Sequence, residues 1–233
     1  MYCFSQNNTG VATYNVQTDF SFDNSLAINE QAILEKIFKK SGDASDTKFK
    51  LFFKNEESIF FAEKKLNTND SKIDLTNIKA KIIGEIYINL KTNEIIQEKE
   101  KFGKTFLKSK SINNYSWKLT NEKIKLGKYT CYKAVLNKAP NKKNKTIAWY
   151  TADLPINFGP LGYCGLPGLI IMLKDDIFIY TIEEIKFNLS KNEEKQVLKP
   201  ENGLKVTFKQ YDSIYGLMME KKDMLERRLY EGN

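Results

Sequence analysis

A chain of 233 residues is long enough for one domain that buries roughly 70 to 75% of its unfolded surface, and no linker divides it. It contains no histidine, which removes the Ser-His-Asp and Cys-His nucleophile arrangements and every histidine-bearing metal site. Its formal charge of +8 rests almost wholly on lysine, with arginine only at Arg227 and Arg228, so the bidentate chemistry of phosphate and base recognition is scarce. Lysines set among glutamates, as in Glu98-Lys99-Glu100-Lys101 and Glu193-Glu194-Lys195, describe a solvated surface rather than a nucleic-acid site. A weaker, peripheral attraction to an anionic membrane surface stays open.

The start, Met1-Tyr2-Cys3-Phe4-Ser5-Gln6, is similar to the tail of a secretory leader, so residues 1–6 are expected to be a leader remnant and residues 7–233 one domain. No apolar run reaches the ~18 to 20 residues of a transmembrane helix. Residues 11–17 alternate weakly and open a sheet. Residues 25–40 place Ile33, Leu34, Ile37 and Phe38 at helical spacing, with Asn24 or Ser25 as cap and Gly42 as stop, and this helix is expected to cover the sheet. Strands over residues 48–54 and 58–63 follow, with Phe49, Leu51 and Phe53 on one face. Beyond a polar loop at 68–79, strands at 82–90, 94–101, 104–110, 115–119 and 129–136 are joined by short links. Short links mean antiparallel neighbours, because parallel strands need a crossover of about a dozen residues or more. A meander is the economical topology.

After a polar loop at 137–144, a strand at 146–151 puts Ile147 and Trp149 on one side and Ala148 and Tyr150 on the other. Residues 169–174 and 177–187 form a hairpin about Asp175-Asp176. The run Leu169, Ile170, Ile171, Met172 and Leu173 leaves no polar face, so this strand is covered on both sides. Residues 191–201 read as a charged loop and 204–208 as a last strand. A final helix over 214–230, capped by Ser213, carries Ile214, Leu217, Met218, Leu225 and Leu229 on one side. The fold class is α+β: a large curved antiparallel β-sheet with an early helix and a C-terminal helix. A half-barrel with a helix in its concavity resembles the periplasmic lipoprotein carriers of the LolA type.

Between the strands at 146–151 and 169–173 lies a stretch whose backbone is fixed by composition. Pro155, Pro160 and Pro167 alternate there with Gly159, Gly162, Gly165 and Gly168, which specifies a chain of turns. It is not a phosphate-cradling loop, since it lacks Gly-Lys-Ser/Thr and leads into a strand. The nearby acids Asp153, Asp175 and Asp176 suit turns better than an acid–base pair. Cys3, Cys131 and Cys164 have no CxxC spacing, and Cys164 has no histidine base. Cys131 and Cys164 read either as two separate buried thiols or as a disulfide. No catalytic residue, metal ligand or cofactor is therefore expected. The binding candidates are Trp149, Tyr150, Phe158, Tyr163, Leu166 and Pro167. Pointing outward, they are pre-ordered apolar anchors; pointing inward they are core, each worth ~1.5 to 3 kcal/mol when fully buried.

The same loop carries a signature. Gly165-Leu166-Pro167-Gly168-Leu169-Ile170 resembles, letter for letter, the hexapeptide that names the GLPGLI family. Trp117, the stretch Gly127-Lys128-Tyr129-Thr130-Cys131-Tyr132-Lys133-Ala134, Ala148-Trp149-Tyr150-Thr151, and Leu154-Pro155-Ile156 followed by Gly159-Pro160 are similar to the family's ordered landmarks, so the resemblance runs over residues 48–208. It implies an exported protein of two-membrane bacteria with no agreed biochemical activity. Cys164 departs from it, standing where an aromatic such as Phe is expected. Three readings follow. The first is a non-catalytic periplasmic or envelope protein holding an apolar ligand, a peptide or an envelope protein, with the Pro/Gly loop as its rim. The second is an accessory subunit docked on an outer-membrane assembly without a small ligand, and the third is an enzyme.

Overall fold

The computed structural model describes residues 9–18, 47–63, 79–80, 82–112, 115–137 and 145–231. The expected leader remnant at 1–6 and the early helix at 25–40 lie outside these residues. Twelve strands are described: β1 (Thr9–Thr18), β2 (Phe49–Lys54), β3 (Glu57–Ala62), β4 (Glu85–Asn89), β5 (Glu94–Lys101), β6 (Lys104–Ser111), β7 (Trp117–Leu126), β8 (Tyr129–Leu136), β9 (Ile147–Thr151), β10 (Leu169–Asp175), β11 (Phe178–Phe187) and β12 (Leu204–Thr207). Among the described residues two α-helices have stated bounds, α1 (Lys191–Glu194) and α2 (Phe208–Glu231); Lys79, Ala80, Ile82 and Ile83 are also helical, so the strand expected at 82–90 begins only at Glu85.

All twelve strands form one sheet in the order β12-β6-β5-β4-β3-β2-β1-β11-β10-β9-β8-β7. The expected meander is present as two runs, β2 to β6 and β7 to β11, with β1 joining them by pairing with both β2 and β11. Every pairing is antiparallel except that of β12 with β6, which is parallel.

This order forces curvature. β6 and β7 stand ten places apart, which in a flat sheet is about 48 Å at the usual inter-strand spacing. The chain passes from Ser111 to Trp117 in six residue steps, a reach of about 20 Å. The sheet therefore wraps round until its two ends approach one another.

One face of the wrapped sheet carries the core. Pairing places Ala12 opposite Leu51 and Tyr14 opposite Phe49, then Leu51 opposite Phe60, and Phe60 opposite Ile86. These side chains are buried, and Phe49 stacks on Phe60 with ring centroids 5.4 Å apart. In the other half Ala148, Tyr150, Leu173 and Tyr180 belong to the same cluster. The Tyr14 hydroxyl donates to the Ile170 carbonyl at 2.6 Å, tying the middle strand to β10 across the inner face. Leu169, Ile170, Ile171 and Leu173 are all buried, as the absence of a polar face predicts.

Three further elements differ from expectation, each for a local reason. β7 continues through Thr120 to Leu126, where the sequence is mostly polar, because an edge strand with little covering needs no apolar alternation. The charged stretch after residue 190 contains α1, closed by a capping box in which Ser190 Oγ accepts from Glu193 N and the Glu193 carboxylate accepts from Ser190 N. The final helix begins at Phe208 rather than Ile214. Its cap is Thr207, whose Oγ1 accepts from Gln210 N at 3.1 Å while Gln210 Oε1 accepts from Thr207 N at 2.8 Å. Ser213, expected as the cap, lies inside the helix and donates to the Lys209 carbonyl.

α2 holds the sheet by its first turns. Phe106 meets Tyr211 edge-on, and the Lys108 ammonium lies 4.3 Å from the ring centres of both Phe208 and Tyr211. Burial pushes the Lys108 pKa down, with Asp212 opposing the shift. Lys108 and Phe106 share the face that carries Ile95 on β5, through the pairs Ile95 with Lys110 and Lys99 with Phe106. The helix thus starts on the inner side near one edge, but residues 220–227 are exposed. Thr207→Ala removes one half of the capping box and is expected to lower stability by about 1 kcal/mol. The measurement is the urea midpoint followed by far-ultraviolet circular dichroism.

Candidate functional site

The signature loop, residues 152–168, leaves β9 at Thr151 and re-enters the sheet at Leu169. Its backbone is closed by its own hydrogen bonds. Leu169 N donates to the Leu154 carbonyl, Ile170 N to that of Phe158 and Gly165 N to that of Asn157, and Phe158 and Cys164 form an isolated antiparallel bridge. A 3-10 turn, Pro160–Gly162, makes the tip, with Leu161 at φ 59° and Gly162 at φ 77°.

The tip points into the curl of the sheet, where it contacts β3 and β4. At Gly162 a β-carbon would stand 2.8 Å from Ile86 Cγ2, so only glycine allows this approach. Phe158, Cys164 and Leu166 are each at most 1% exposed and belong to the main core cluster. On the other side Trp117 Nε1 donates to the Cys164 carbonyl at 2.9 Å, and the Trp117 and Tyr115 rings lie 5.9 and 5.2 Å from that of Tyr163. The loop therefore touches strands from both halves of the sheet.

Tyr163 is the polar fastening of this plug. Its hydroxyl donates to Asp175 Oδ1 at 2.9 Å, and the same oxygen accepts from Thr146 Oγ1 at 2.6 Å. Burial and then the Asp175 charge raise the Tyr163 pKa well above the ordinary phenol value, so it stays a neutral donor. Tyr115, behind it, is raised chiefly by burial, and its hydroxyl accepts from the Lys110 ammonium at 3.2 Å.

The six binding candidates are thus dispersed. Tyr150, Phe158 and Leu166 are buried; Trp149 and Tyr163 are half-buried; Pro167 is exposed. Of the loop's framework residues, Gly159, Pro160 and Gly168 are buried, while Pro155 and Gly165 are exposed. A β-carbon on Gly168 would overlap the Thr151 carbonyl, and one on Gly159 would meet the Ile170 side chain at 2.5 to 2.9 Å.

Among the acids, Asp153 is exposed, Asp176 occupies the β10–β11 turn at φ 57° and Asp175 is bound by two hydroxyls. Cys131 and Cys164 are free, buried thiols. Burial pushes Cys131 up to about 11 and Cys164 up to about 12. Among the described residues, no three Cys, Asp or Glu side chains come together to hold a metal ion. No helix among them is long and apolar enough to cross a membrane.

A groove of about 270 Å³ lies on the outer face of β1, β2, β3 and β11, beside α1. Its floor includes Phe52 and Phe61, which stack at 5.8 Å. Lys50 bonds Thr13 there and Lys186 pairs with Glu193. Sequence reasoning missed this groove, because its members come from three distant stretches, residues 11–13, 50–63 and 184–193.

Comparisons with known proteins bear on the loop and on the sheet separately. Residues 137–172, which include the whole loop, match a family described as a protein of unknown function, Porph_ging. No curated protein matches the chain. A structure of PNGF-II in the C2 space group aligns over 88% of this chain and 32% of its own, with a TM-score of 0.56 and 18% identity. A second, in the P21 space group, covers 89% and 33%, with a TM-score of 0.55 and 18% identity. The chain spans about a third of the length of these solved structures, and the likeness is one of fold.

Two outcomes test the plug. Gly168→Ala is expected to cost about 1 kcal/mol or more, since the overlap outweighs the ~0.4 to 1 kcal/mol gained by stiffening the unfolded chain. Asn157→Ala, at an exposed position of the same loop, should stay within about 0.5 kcal/mol. Denaturant midpoints decide between them, and equal costs would contradict the inward packing. At pH 8 iodoacetamide should label neither Cys131 nor Cys164 until the protein unfolds, because the thiolate is the nucleophile. The unfolded thiols ionise near 8.5. Between there and the raised folded values the unfolded chain therefore binds fewer protons, and stability falls as pH rises.

Proposed function

We propose that the chain is a non-catalytic exported protein of the GLPGLI family, periplasmic or otherwise held in the cell envelope, that works by docking on another envelope protein. The observation that carries the docking reading is the direction of the loop. Phe158, Cys164 and Leu166 fill the inner face of the sheet, so the surface that would serve as a ligand-holding concavity is occupied by the chain itself. This favours the accessory-subunit reading over the apolar-ligand carrier with the loop as its rim. The non-catalytic reading is supported by the engagement of Asp175 with Thr146 and Tyr163 and by the raised, buried thiols. The family reading is supported by the hexapeptide at 165–170 and by the match over 137–172. The export reading is supported by the resemblance alone.

The test is native mass spectrometry of the protein purified from its own envelope, without detergent exchange, alongside fractionation of cells carrying the gene with its upstream sequence. The expected result is recovery outside the cytoplasm together with a stoichiometric protein and no bound lipid. A stoichiometric lipid or other apolar small molecule would overturn docking in favour of carriage. Recovery in the cytoplasm would overturn export.

A further inference from the structure

The strand period sorts the charges of β5 and β6 onto opposite faces. In Glu98-Lys99-Glu100-Lys101 the two signs alternate, and successive side chains of a strand point to opposite sides of the sheet. The glutamates therefore lie on the outer face and the lysines on the inner. On β6, Lys104, Lys108 and Lys110 take the inner face too, since Lys101 pairs with Lys104, Lys99 with Phe106 and Ile95 with Lys110. Lysines that neutral neighbours balance along the sequence thus gather on one side of two adjacent strands. At Lys101 and Lys104 like charges stand directly opposite each other, an arrangement that costs stability.

The first turns of α2 cover this face with rings rather than carboxylates. Lys110 stands 5.1 Å from the Phe208 ring centre and Lys108 4.3 Å from those of Phe208 and Tyr211. Lys99 is 5.9 Å from the Tyr211 ring centre and Lys101 5.8 Å from that of Tyr215. Residues 208–219 hold a single acid, Asp212. Its Oδ1 is 4.0 Å from the Lys108 ammonium, beyond hydrogen-bond reach, and its side chain is 73% exposed. Lys108 itself is 7% exposed, and among the described residues its ammonium donates no hydrogen bond. Lys99 is half-buried and has no ion pair among them. Burial and then the Lys101 charge push the Lys99 pKa down, and Lys99 adds to the lowering that burial begins at Lys108. The two ammoniums feel each other as like charges.

We propose that the inner face of β5 and β6, beneath the first turns of α2, is an anion site that takes a phosphate group, with Lys108 at its floor and Lys99 and Lys101 at its mouth. Phosphate carries up to two charges on a compact tetrahedron, which suits ammonium groups acting as point charges. A monocarboxylate would leave most of the positive charge uncompensated. An acidic protein surface would meet the exposed Lys101 and Lys104 but not Lys108 beneath the rings. The site lies beside the part of the hollow that the signature loop fills, and it is independent of export and of any envelope partner.

The test is calorimetric titration of the full chain with sodium phosphate at constant ionic strength, beside a titration with sodium acetate. The expected result is saturable binding of one equivalent, weakened at least tenfold by Lys99→Gln and by Lys108→Gln. Lys118→Gln, exposed on the opposite edge strand β7, should leave it unchanged. Lys108 also anchors α2, so Lys99→Gln and Lys101→Gln, with far-ultraviolet circular dichroism like that of the parent, carry the test if the Lys108 variant unfolds. Vesicles of phosphatidic acid in phosphatidylcholine separate two sources of the phosphate. Vesicle binding that glycerol 3-phosphate displaces assigns it to a lipid headgroup, and phosphate binding without vesicle binding assigns it to a small soluble molecule. Absence of saturable phosphate binding, binding that Lys99→Gln and Lys101→Gln both leave intact, or acetate bound as tightly as phosphate would overturn the proposal. So would capture of a polyglutamate peptide by a chain that ignores phosphate.

Discussion

The short passage from Ser111 to Trp117 governs the architecture. Strands ten places apart in one sheet are joined by a link that reaches less than half of their flat separation, so the sheet has to curl, and a curled sheet of this size leaves an apolar inner face to be covered. The Pro/Gly loop meets that need. It descends from β9 and β10 and puts Phe158, Cys164 and Leu166 into the core. Its tip reaches β3 and β4, and Tyr163 lies against the residues that follow β6. Curvature and plug depend on each other: without the curl the tip would have no opposite wall, and without the tip Ile86, Ile88 and Ile95 would lose their cover.

This dependence gives the hexapeptide a physical meaning. Each of its landmarks answers a steric demand: Gly168 passes against the Thr151 carbonyl, Leu166 is core, Leu169 and Ile170 begin a strand buried on both faces, and Gly165 holds a positive φ of 84° with open space around it. Cys164 is fully buried, and the Trp117 indole bonds its backbone carbonyl.

How much of this was legible in the sequence depended on where covering was local. Alternation at Phe49, Leu51 and Phe53 and the unbroken run Leu169 to Leu173 identified buried strands, because burial there imprints a period on the residues themselves. β7 beyond Leu119 was missed because an exposed edge strand imprints none. α1 and the start of α2 were missed although Ser190-x-x-Glu193 and Thr207-x-x-Gln210 spell capping boxes; charge around the first and a strand directly before the second masked them. The strand order lay beyond reach, since β1 joins two meanders through pairings more than a hundred residues apart. So did the direction of the loop, because Phe158 and Leu166 suit a rim and a core equally until the opposite wall is known.

The inward loop also moves attention away from the motif when function is sought. A sheet that fills its own hollow has only its outer face, its edges and its appended helix for meeting other molecules. Among these, the outer-face groove has its lysines engaged by neighbouring groups, and the β7 edge carries lysines that discourage strand pairing. The far part of α2 is different in kind: it is regular, apolar on one side and balanced in charge, and its contacts with the sheet end early. Two dozen residues of helix are far more than are needed to cover Phe106 and Lys108.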